Sequence, residues 1–224
     1  MYSGITQGLY IVKSLTKRPG LFHYSVVLNE ELVKGLKIGS SVSIDGVCQT
    51  IVAQHENVVS FDAMQETLAK TTLNELFIGR KVSVERSLGL GDEIGGHELS
   101  GHIFETGIIT DKKINGENLC LSIQCSEACF AFIKPKGYIA VDGSSLTVGV
   151  TDKKRYSFTV HLIPETLRKT NLANKKIGDK VNIEPDMKTM VLVETVQSYF
   201  SSIDDRLTSI EKKLQHILTS NKLK

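Results

Sequence analysis

The sequence predicts an all-β protein in which two similar small sandwiches or barrels are followed by one long helix. Short segments rich in valine and isoleucine alternate apolar and polar residues, which is the pattern of half-buried strands. Gly, Asn or Asp interrupts these segments every ~8–12 residues, as in sandwiches and small barrels. The same segments recur in the second half of the chain, which indicates a duplicated domain.

Each copy contains five segments with the strand pattern. In chain order they are HYSVVLN, SVSIDGV, TIVAQ, VVSFDAM and KVSVERS in the first copy, and LCLSIQ, YIAVDG, LTVGVTD, YSFTVHLI and KVNIEP in the second. Between the strands, NEELVKGL and SEACFAFI predict single short helices, as do the TLAKTTL and TLRKTNL segments.

The duplication has a nearly constant offset. IDGVCQTI begins at Ile44 and VDGSSLTV begins at Val141, 97 residues later. IGRKVSVE begins at Ile78 and IGDKVNIE begins at Ile177, 99 residues later, so the second copy contains a two-residue insertion. The predicted domains are therefore two barrels and a C-terminal helix, over 1–97, 98–190 and 191–224.

The C-terminal tail has the heptad pattern of a coiled coil, with apolar residues three and four apart. These residues are Val193, Val196, Phe200, Ile203, Leu207, Ile210, Leu214 and Ile217. Leu at a with Ile at d favours three or four strands over two. The alternative is a helix whose apolar stripe packs on its own barrels, but the regularity of the pattern favours self-association.

Composition and charge exclude several classes of function. With 27 basic and 25 acidic residues, the chain lacks the basic excess typical of a nucleic-acid binder. It begins without a signal-peptide pattern and has no run of apolar residues long enough to span a membrane, so we expect a soluble cytoplasmic protein. The four cysteines have spacings that fit a zinc site poorly, which favours reduced, buried thiols and no metal.

Polar residues that recur in both copies mark a candidate binding site in each barrel. Thr50 recurs as Thr147, Asp45 as Asp142, Gly4 as Gly101, and the Glu66-Thr67 pair as Glu165-Thr166. Turn chemistry or strand propensity would explain each residue by itself. Together, at fixed offsets, they predict that each barrel holds a small polar ligand by hydrogen bonds.

The copies differ at positions that could move protons. Cys48 corresponds to Ser145, Ile5 to His102, and Asp62 to His161. Thiol, imidazole and hydroxyl groups beside a base are typical of general acid/base and nucleophilic chemistry. Two equal binding sites would not need this asymmetry, so the differences favour an enzyme over neutral drift of packing residues.

The chain resembles the riboflavin synthase family of the alpha-chain type nearly from end to end. The resemblance is carried by MYSGITQG, GDEIGGHELSGHI, KGYIAVDGSSLTV and HLIPETL. It implies two six-stranded Greek-key barrels, a C-terminal helix that joins three chains, and no cofactor or metal. The implied reaction is the last step of riboflavin biosynthesis, in which a transferase converts two molecules of 6,7-dimethyl-8-ribityllumazine into riboflavin and 5-amino-6-(D-ribitylamino)uracil by four-carbon transfer.

The resemblance also implies which residues contact the two lumazine molecules of each site. The positions that the resemblance carries over to the first barrel are Gly4, Ile5, Thr6, Cys48, Gln49, Thr50, Asp62, Ala63, Met64, Gln65, Glu66 and Thr67. Those carried over to the second barrel are Gly101, His102, Ile103, Lys136, Ser145, Leu146, Thr147, His161, Leu162, Ile163, Pro164, Glu165 and Thr166.

Catalytic roles follow from the same resemblance. The residues that would handle protons or activate a nucleophile are His102, Ser145, Thr147, Cys48 and Asp186. The chain departs from the family pattern at Asp45, where the family often has Asn, and at Gln49, where it often has Leu.

The resemblance also bears on partners and on a competing function. It implies a homotrimer with the site shared between neighbouring chains, and it makes lumazine synthase a candidate partner. The alternative function is a non-catalytic lumazine or flavin antenna, as in the lumazine proteins of luminous bacteria. The intact second-copy motifs and the heptads favour the enzyme.

Overall fold

In the computed structural model, which describes residues 1–221 and their side chains to residue 213, twelve strands form two closed antiparallel barrels. The first barrel contains β1 (Gly8–Arg18), β2 (Leu21–Val27), β3 (Ser41–Ile44), β4 (Val47–His55), β5 (Val58–Met64) and β6 (Lys81–Arg86). The second contains β7 (Glu105–Asn115), β8 (Asn118–Gln124), β9 (Tyr138–Val141), β10 (Ser144–Asp152), β11 (Ser157–Leu162) and β12 (Lys180–Pro185). The predicted all-β class and duplicated six-stranded barrels are confirmed.

Both barrels have the same strand order and the same irregularities. Around the first barrel the order is β1-β2-β5-β4-β3-β6, and the second repeats it. Strands β3, β4 and β5 are consecutive neighbours while β6 returns to lie beside β3, which is a Greek key. Register shifts in β1 and β4 recur in β7 and β10, where they bend the strands so that each barrel closes.

The sequence missed the first strand of each barrel. In β1 only Val12 is buried, and the rest of the strand is partly or fully exposed and carries three basic residues. In β7 only Gly107 and Ile109 are buried. Because these long strands extend beyond the core, they lack the clear alternation on which a strand prediction depends.

The predicted short helices are confirmed at matching places. They are α1 (Glu30–Val33), α2 (Gln65–Lys70), α3 (Glu127–Phe130) and α4 (Pro164–Lys169), with short 3₁₀ turns at Thr72–Glu75 and Asn171–Asn174. The Asn29 side chain caps α1 through the Leu32 N–H, and Ser126 caps α3 through the Cys129 N–H. Each barrel encloses its own apolar core.

The two barrels meet at their β-hairpin turns. Asp45 and Gly46 join β3 to β4 with positive φ at both residues, the geometry of a type I′ turn, and Asp142 and Gly143 repeat it. A Cβ atom on Gly46 would lie 2.6 Å from the Gly143 backbone nitrogen, so no larger side chain fits between the turns. The glycine of the repeated Asp-Gly pair is therefore required where the barrels touch.

The C-terminal helix α5 spans Met187–Asn221. Its apolar stripe is exposed to a degree unusual for large side chains, with 62% of Phe200, 52% of Leu207 and 51% of Ile210 accessible. Two predicted members of the stripe, Leu214 and Ile217, lie outside the described side chains. In the described residues, no helix has both the length and the apolar character needed to cross a membrane.

Candidate functional site

A buried carboxylate anchors the Ser-Gly segment that precedes each barrel. Glu85 on β6 accepts hydrogen bonds from the N–H and hydroxyl of Ser3, both at 2.7 Å, and from the Gly4 N–H at 3.1 Å. Glu184 on β12 holds residues 100–101 with the same three bonds at the same distances. Burial raises the pKa of both carboxyl groups, and these hydrogen bonds oppose the rise.

Each anchored segment crosses to the other barrel. In the Gly4–Thr6 segment, the Gly4 carbonyl accepts a hydrogen bond from the Ser145 N–H at 2.8 Å. In the Gly101–Ile103 segment, the Gly101 carbonyl accepts one from the Cys48 N–H at 2.9 Å. The first segment therefore lies against the second barrel, and the second segment lies against the first barrel. A repeat preserves chain order, whereas the pairing of these segments is set by the contact between the barrels.

The Gly4–Thr6 segment lines a cavity of about 530 Å³ between the barrels, within the size range of small-molecule sites. The cavity brings together seven of the predicted residues: Gly4, Ile5, Thr6, Ser145, Ile163, Glu165 and Thr166. Its remaining lining includes Gln7, Tyr10, Asn29 and Glu31 from the first half of the chain, and Lys169 from α4. The cavity thus combines apolar walls with several polar groups that could orient a heterocyclic ligand.

Ser145 has a histidine partner that the sequence analysis missed. His97 Nδ1 lies 2.6 Å from Ser145 Oγ, and its ring stacks on Tyr138 with centroids 5.0 Å apart. A hydroxyl within hydrogen-bond reach of an imidazole, itself held by an aromatic ring, is the arrangement of a nucleophile or proton relay with its base. The signal lies in the GGHELSGH segment, but this segment holds two histidines, and comparison of the two copies marks only His102.

Cys48, the counterpart of Ser145, has a different partner. The Tyr2 hydroxyl donates to Cys48 Sγ at 3.2 Å, and burial raises the pKa of this phenol. Tyr2 also pairs with Leu99 in a short antiparallel bridge, which carries the N-terminal segment across the barrel interface. The two copies therefore present a hydroxyl beside an imidazole and a thiol beside a phenol.

Other predicted residues lie at the surface of the protein. The His102 side chain is exposed, and the His102 backbone N–H donates to Ser100 Oγ at 3.0 Å. His161 is exposed on β11 and, with Ile163, lines a second depression beside Cys120. Exposed positions also include Thr50, Asp62, Met64, Gln65, Glu66, Lys136, Thr147 and Pro164.

Four predicted residues are buried among the core residues. Gln49 lies inside the first barrel, where its side chain accepts a hydrogen bond from the Tyr24 hydroxyl at 3.2 Å. Leu146 and Leu162 are core residues of the second barrel, and Ala63 is a core residue of the first. Any contact of these residues with a ligand would involve the backbone, because strand alternation turns their side chains inward.

Three of the predicted carboxylates have close side-chain partners, and three further predicted residues are partly buried. Asp62 Oδ1 lies 2.7 Å from His23 Nδ1, and Glu66 pairs with Lys70 at 3.1 Å. Glu165 pairs with Arg168 at 2.6 Å, and hydrogen bonds from that guanidinium lower the pKa of the carboxyl group. Thr67, Ile103 and Asp186 are partly buried, and Ile103 packs against the core of the first barrel.

Comparison with protein families identifies a duplicated domain. Residues 3–87 and 100–186 each match the lumazine binding domain. The riboflavin synthase of Escherichia coli K12 is 40% identical over 211 residues, which cover 92% of this chain and 97% of that protein. The riboflavin synthase of Chlamydia pneumoniae is 41% identical over 202 residues, which cover 90% of this chain and 98% of that protein.

Solved structures of LumP have the same fold. LumP complexed with riboflavin superposes with a TM-score of 0.77 at 22% identity and covers 83% of this chain and all of that one. LumP complexed with 6,7-dimethyl-8-(1'-D-ribityl) lumazine gives a TM-score of 0.74 at 23% identity, over 83% of this chain and 99% of that one.

Proposed function

The chain belongs to the riboflavin synthase family, and we propose that it catalyses four-carbon transfer between two molecules of 6,7-dimethyl-8-ribityllumazine. The products are riboflavin and 5-amino-6-(D-ribitylamino)uracil, so the enzyme is a transferase. About 40% identity over nine-tenths of the chain to riboflavin synthases supports this activity.

The observation that carries the proposal is the unlike chemistry of two sites built on one plan. One substrate molecule must give up the four-carbon unit and the other must receive it, although the two molecules are identical. The enzyme therefore has to treat them differently. The Ser145–His97 pair at one site and the Cys48–Tyr2 pair at the other supply that difference.

Positioning and proton transfer are the tasks these residues would perform. The C7 methyl group of the lumazine is acidic, because its ring system delocalises the resulting carbanion. The protein has mainly to orient two heterocycles and to move protons. In this scheme His97 and Ser145 relay a proton at one substrate, while Cys48 and the exposed His102 lie near the other.

We further propose that the working enzyme is a homotrimer joined through α5. The exposed stripe of Phe200, Leu207 and Ile210 supports this assembly, since burying each such side chain contributes about 1.5–3 kcal/mol. In the trimer, the first barrel of one chain would face the second barrel of its neighbour. By the same family resemblance, lumazine synthase is the candidate partner enzyme.

The direct test is to give purified protein the lumazine alone and to follow riboflavin by its fluorescence. We expect riboflavin to form with no added nucleotide or metal, and to form equally after treatment with a chelator. Tight binding of the lumazine without riboflavin formation would contradict the proposal and would favour an antenna function instead.

A further inference from the structure

The second barrel contains a cluster of metal-ligating side chains on the wall formed by β7 and α3. Among the residues that the structure describes, Glu105, Cys125 and Cys129 form a group in which one ligand atom from each lies within 4.8 Å of the others. Cys129 is buried, and the other two are partly buried. The cysteine spacing by itself predicts no metal site, because it does not show the carboxylate on β7, twenty residues before the first thiol.

The first barrel shows what the same positions look like without donor atoms. By the 97-residue offset, Glu105 corresponds to Gly8, Cys125 to Leu28, and Cys129 to Leu32. Both leucines are core residues, 2% and 4% exposed. The second copy therefore has three donor atoms where the first has apolar packing and a glycine, so the fold does not itself require these polar groups.

The separations are close to those that a single metal ion needs. Zn–S bonds of about 2.3 Å in a tetrahedral site place two sulfur atoms about 3.8 Å apart, and a Zn–O bond of about 2.0–2.2 Å places the oxygen slightly closer. The three donors, all within 4.8 Å, need to approach by no more than about 1 Å in the least favourable pair.

Neighbouring hydrogen bonds hold the donors in position. The Ser126 N–H donates to Glu105 Oε1 at 2.6 Å, which fixes the carboxylate beside the start of α3. The Cys125 thiol donates to the Tyr156 carbonyl at 3.3 Å. A metal ion that binds here displaces the protons of both thiols, because thiolates are the metal-binding form of cysteine.

We propose that Glu105, Cys125 and Cys129 form a binding site for a thiophilic divalent metal ion, and that Zn²⁺ is the ion it binds. The three side chains leave a fourth position for water. The ion would connect β7 to the α3 segment. None of its three ligands lines the Ser145 cavity, and the proposed reaction does not require it.

Co²⁺ is the probe that tests the site, because thiolate-bound Co²⁺ gives a ligand-to-metal charge-transfer band in the near ultraviolet. The full-length protein, kept reduced with a phosphine, is titrated with Co²⁺, and Zn²⁺ is then added in competition. We expect a saturable band at one Co²⁺ per chain that Zn²⁺ abolishes. We also expect Zn²⁺ to raise the midpoint of thermal unfolding.

Variants identify the ligands. Cys125→Ser and Cys129→Ser should each abolish the band, whereas Cys120→Ser, the matched control from the same barrel, should retain it. Glu105→Gln keeps both thiols and should weaken Co²⁺ binding at least as much as the loss of a group that supports a ligand, about tenfold or more. A double Cys125→Leu, Cys129→Leu variant carries the same two leucines as the first copy. Thermal unfolding measures whether this variant is folded.

Two results would overturn the proposal. One is the absence of any thiolate band in the reduced wild-type protein. The other is a band that survives Cys125→Ser and Cys129→Ser in folded protein, or that Cys120→Ser removes. Neither result depends on riboflavin formation, so the metal site and the proposed activity are tested separately.

Discussion

Ser145 and Cys48 occupy equivalent places in the two copies, yet each has a different hydrogen-bonding partner. The backbone environment is nearly the same, because each N–H donates to the glycine carbonyl of the segment that crosses from the other barrel. The difference lies in the side chains, since His97 contacts Ser145 and Tyr2 contacts Cys48. Single side chains thus make two sites chemically different, although the duplication gave them similar backbones.

The Ser145–His97 pair should act as one unit in catalysis. We expect Ser145→Ala and His97→Gln each to lower kcat by about a hundredfold or more, because each removes one half of a proton relay. The double variant should be little worse than either single variant. His55→Gln, which changes an exposed histidine at the end of β4, is the control.

Steady-state kinetics with the lumazine distinguishes a relay from two separate roles. Losses from Ser145→Ala and His97→Gln that simply multiply in the double variant would show that the two residues act independently. A rise in KM with unchanged kcat would assign them to substrate binding instead.

Asp45 should make stability depend on pH. Burial, together with repulsion from Asp142, raises the pKa of Asp45 to about 6, although Arg80 at 2.9 Å opposes the rise. Between about pH 4 and pH 6 the folded protein then holds a proton that the unfolded chain has lost. This group's contribution to stability is therefore full at low pH and is lost as the pH rises through 6.

Asp45→Asn, which introduces the residue common in the family, should remove this contribution. We expect the fall in unfolding free energy between pH 4 and pH 6 to be smaller in the variant, as measured by urea denaturation at each pH. Glu85 and Glu184 have raised pKa values as well and leave a residual slope. Asp204→Asn on α5 is the control, and a variant slope equal to that of the wild type would contradict the assignment.

At the scale of elements, the segments that cross between the barrels are what creates the cavity. Each is a short stretch before a first strand, held to its own barrel by a buried glutamate and to the other by a backbone hydrogen bond. Neither segment has regular secondary structure, so hydrophobic periodicity does not reveal where it goes. Their repeated Ser-Gly pair is the visible mark of this arrangement.

The apolar stripe of α5 should control self-association. Leu207→Asp places a charge at an a position of the heptad, so we expect it to dissociate the proposed trimer, as measured by analytical ultracentrifugation. Ser209→Asp adds the same charge at an exposed c position and should leave the trimer intact. A Leu207→Asp protein that sediments like the wild type would exclude the stripe as the interface.

At the scale of the whole molecule, buried polar groups join the two barrels. Asn171 Nδ2 donates to Asp45 Oδ1 at 2.8 Å, and Asn182 Nδ2 donates to the Asp45 carbonyl at 2.7 Å. Asn182 also accepts from the Thr72 N–H at 2.8 Å. Buried hydrogen bonds of this kind specify one relative position of the barrels, because breaking them leaves polar groups unpaired away from water.

Removing α5 should separate folding from catalysis. We expect residues 1–186 alone, which form one compact unit, to unfold cooperatively and to bind the lumazine. If sites are shared between chains, the truncated protein should be monomeric and should make riboflavin much more slowly. Circular dichroism, ligand titration and turnover measure the three properties, and an undiminished rate in a monomer would contradict the shared site.

The sequence by itself determined the duplication, the all-β class, the short helices and the heptad stripe. These properties depend on residues close together in the chain or on direct comparison of its halves. It also identified the Ser-Gly segments and the Cys48 and Ser145 positions as the places where chemistry is expected. It missed β1 and β7, because long strands that extend beyond the core lose their apolar alternation.

Only the tertiary structure decided which groups face one another. It placed Gly4–Thr6 beside the second barrel, brought His97 to Ser145, and turned the Gln49 side chain into the core. It also gathered Glu105 with two cysteines from another part of the chain. Contacts between barrels and between distant strands arise from packing, so their partners leave no periodic signal in the order of residues.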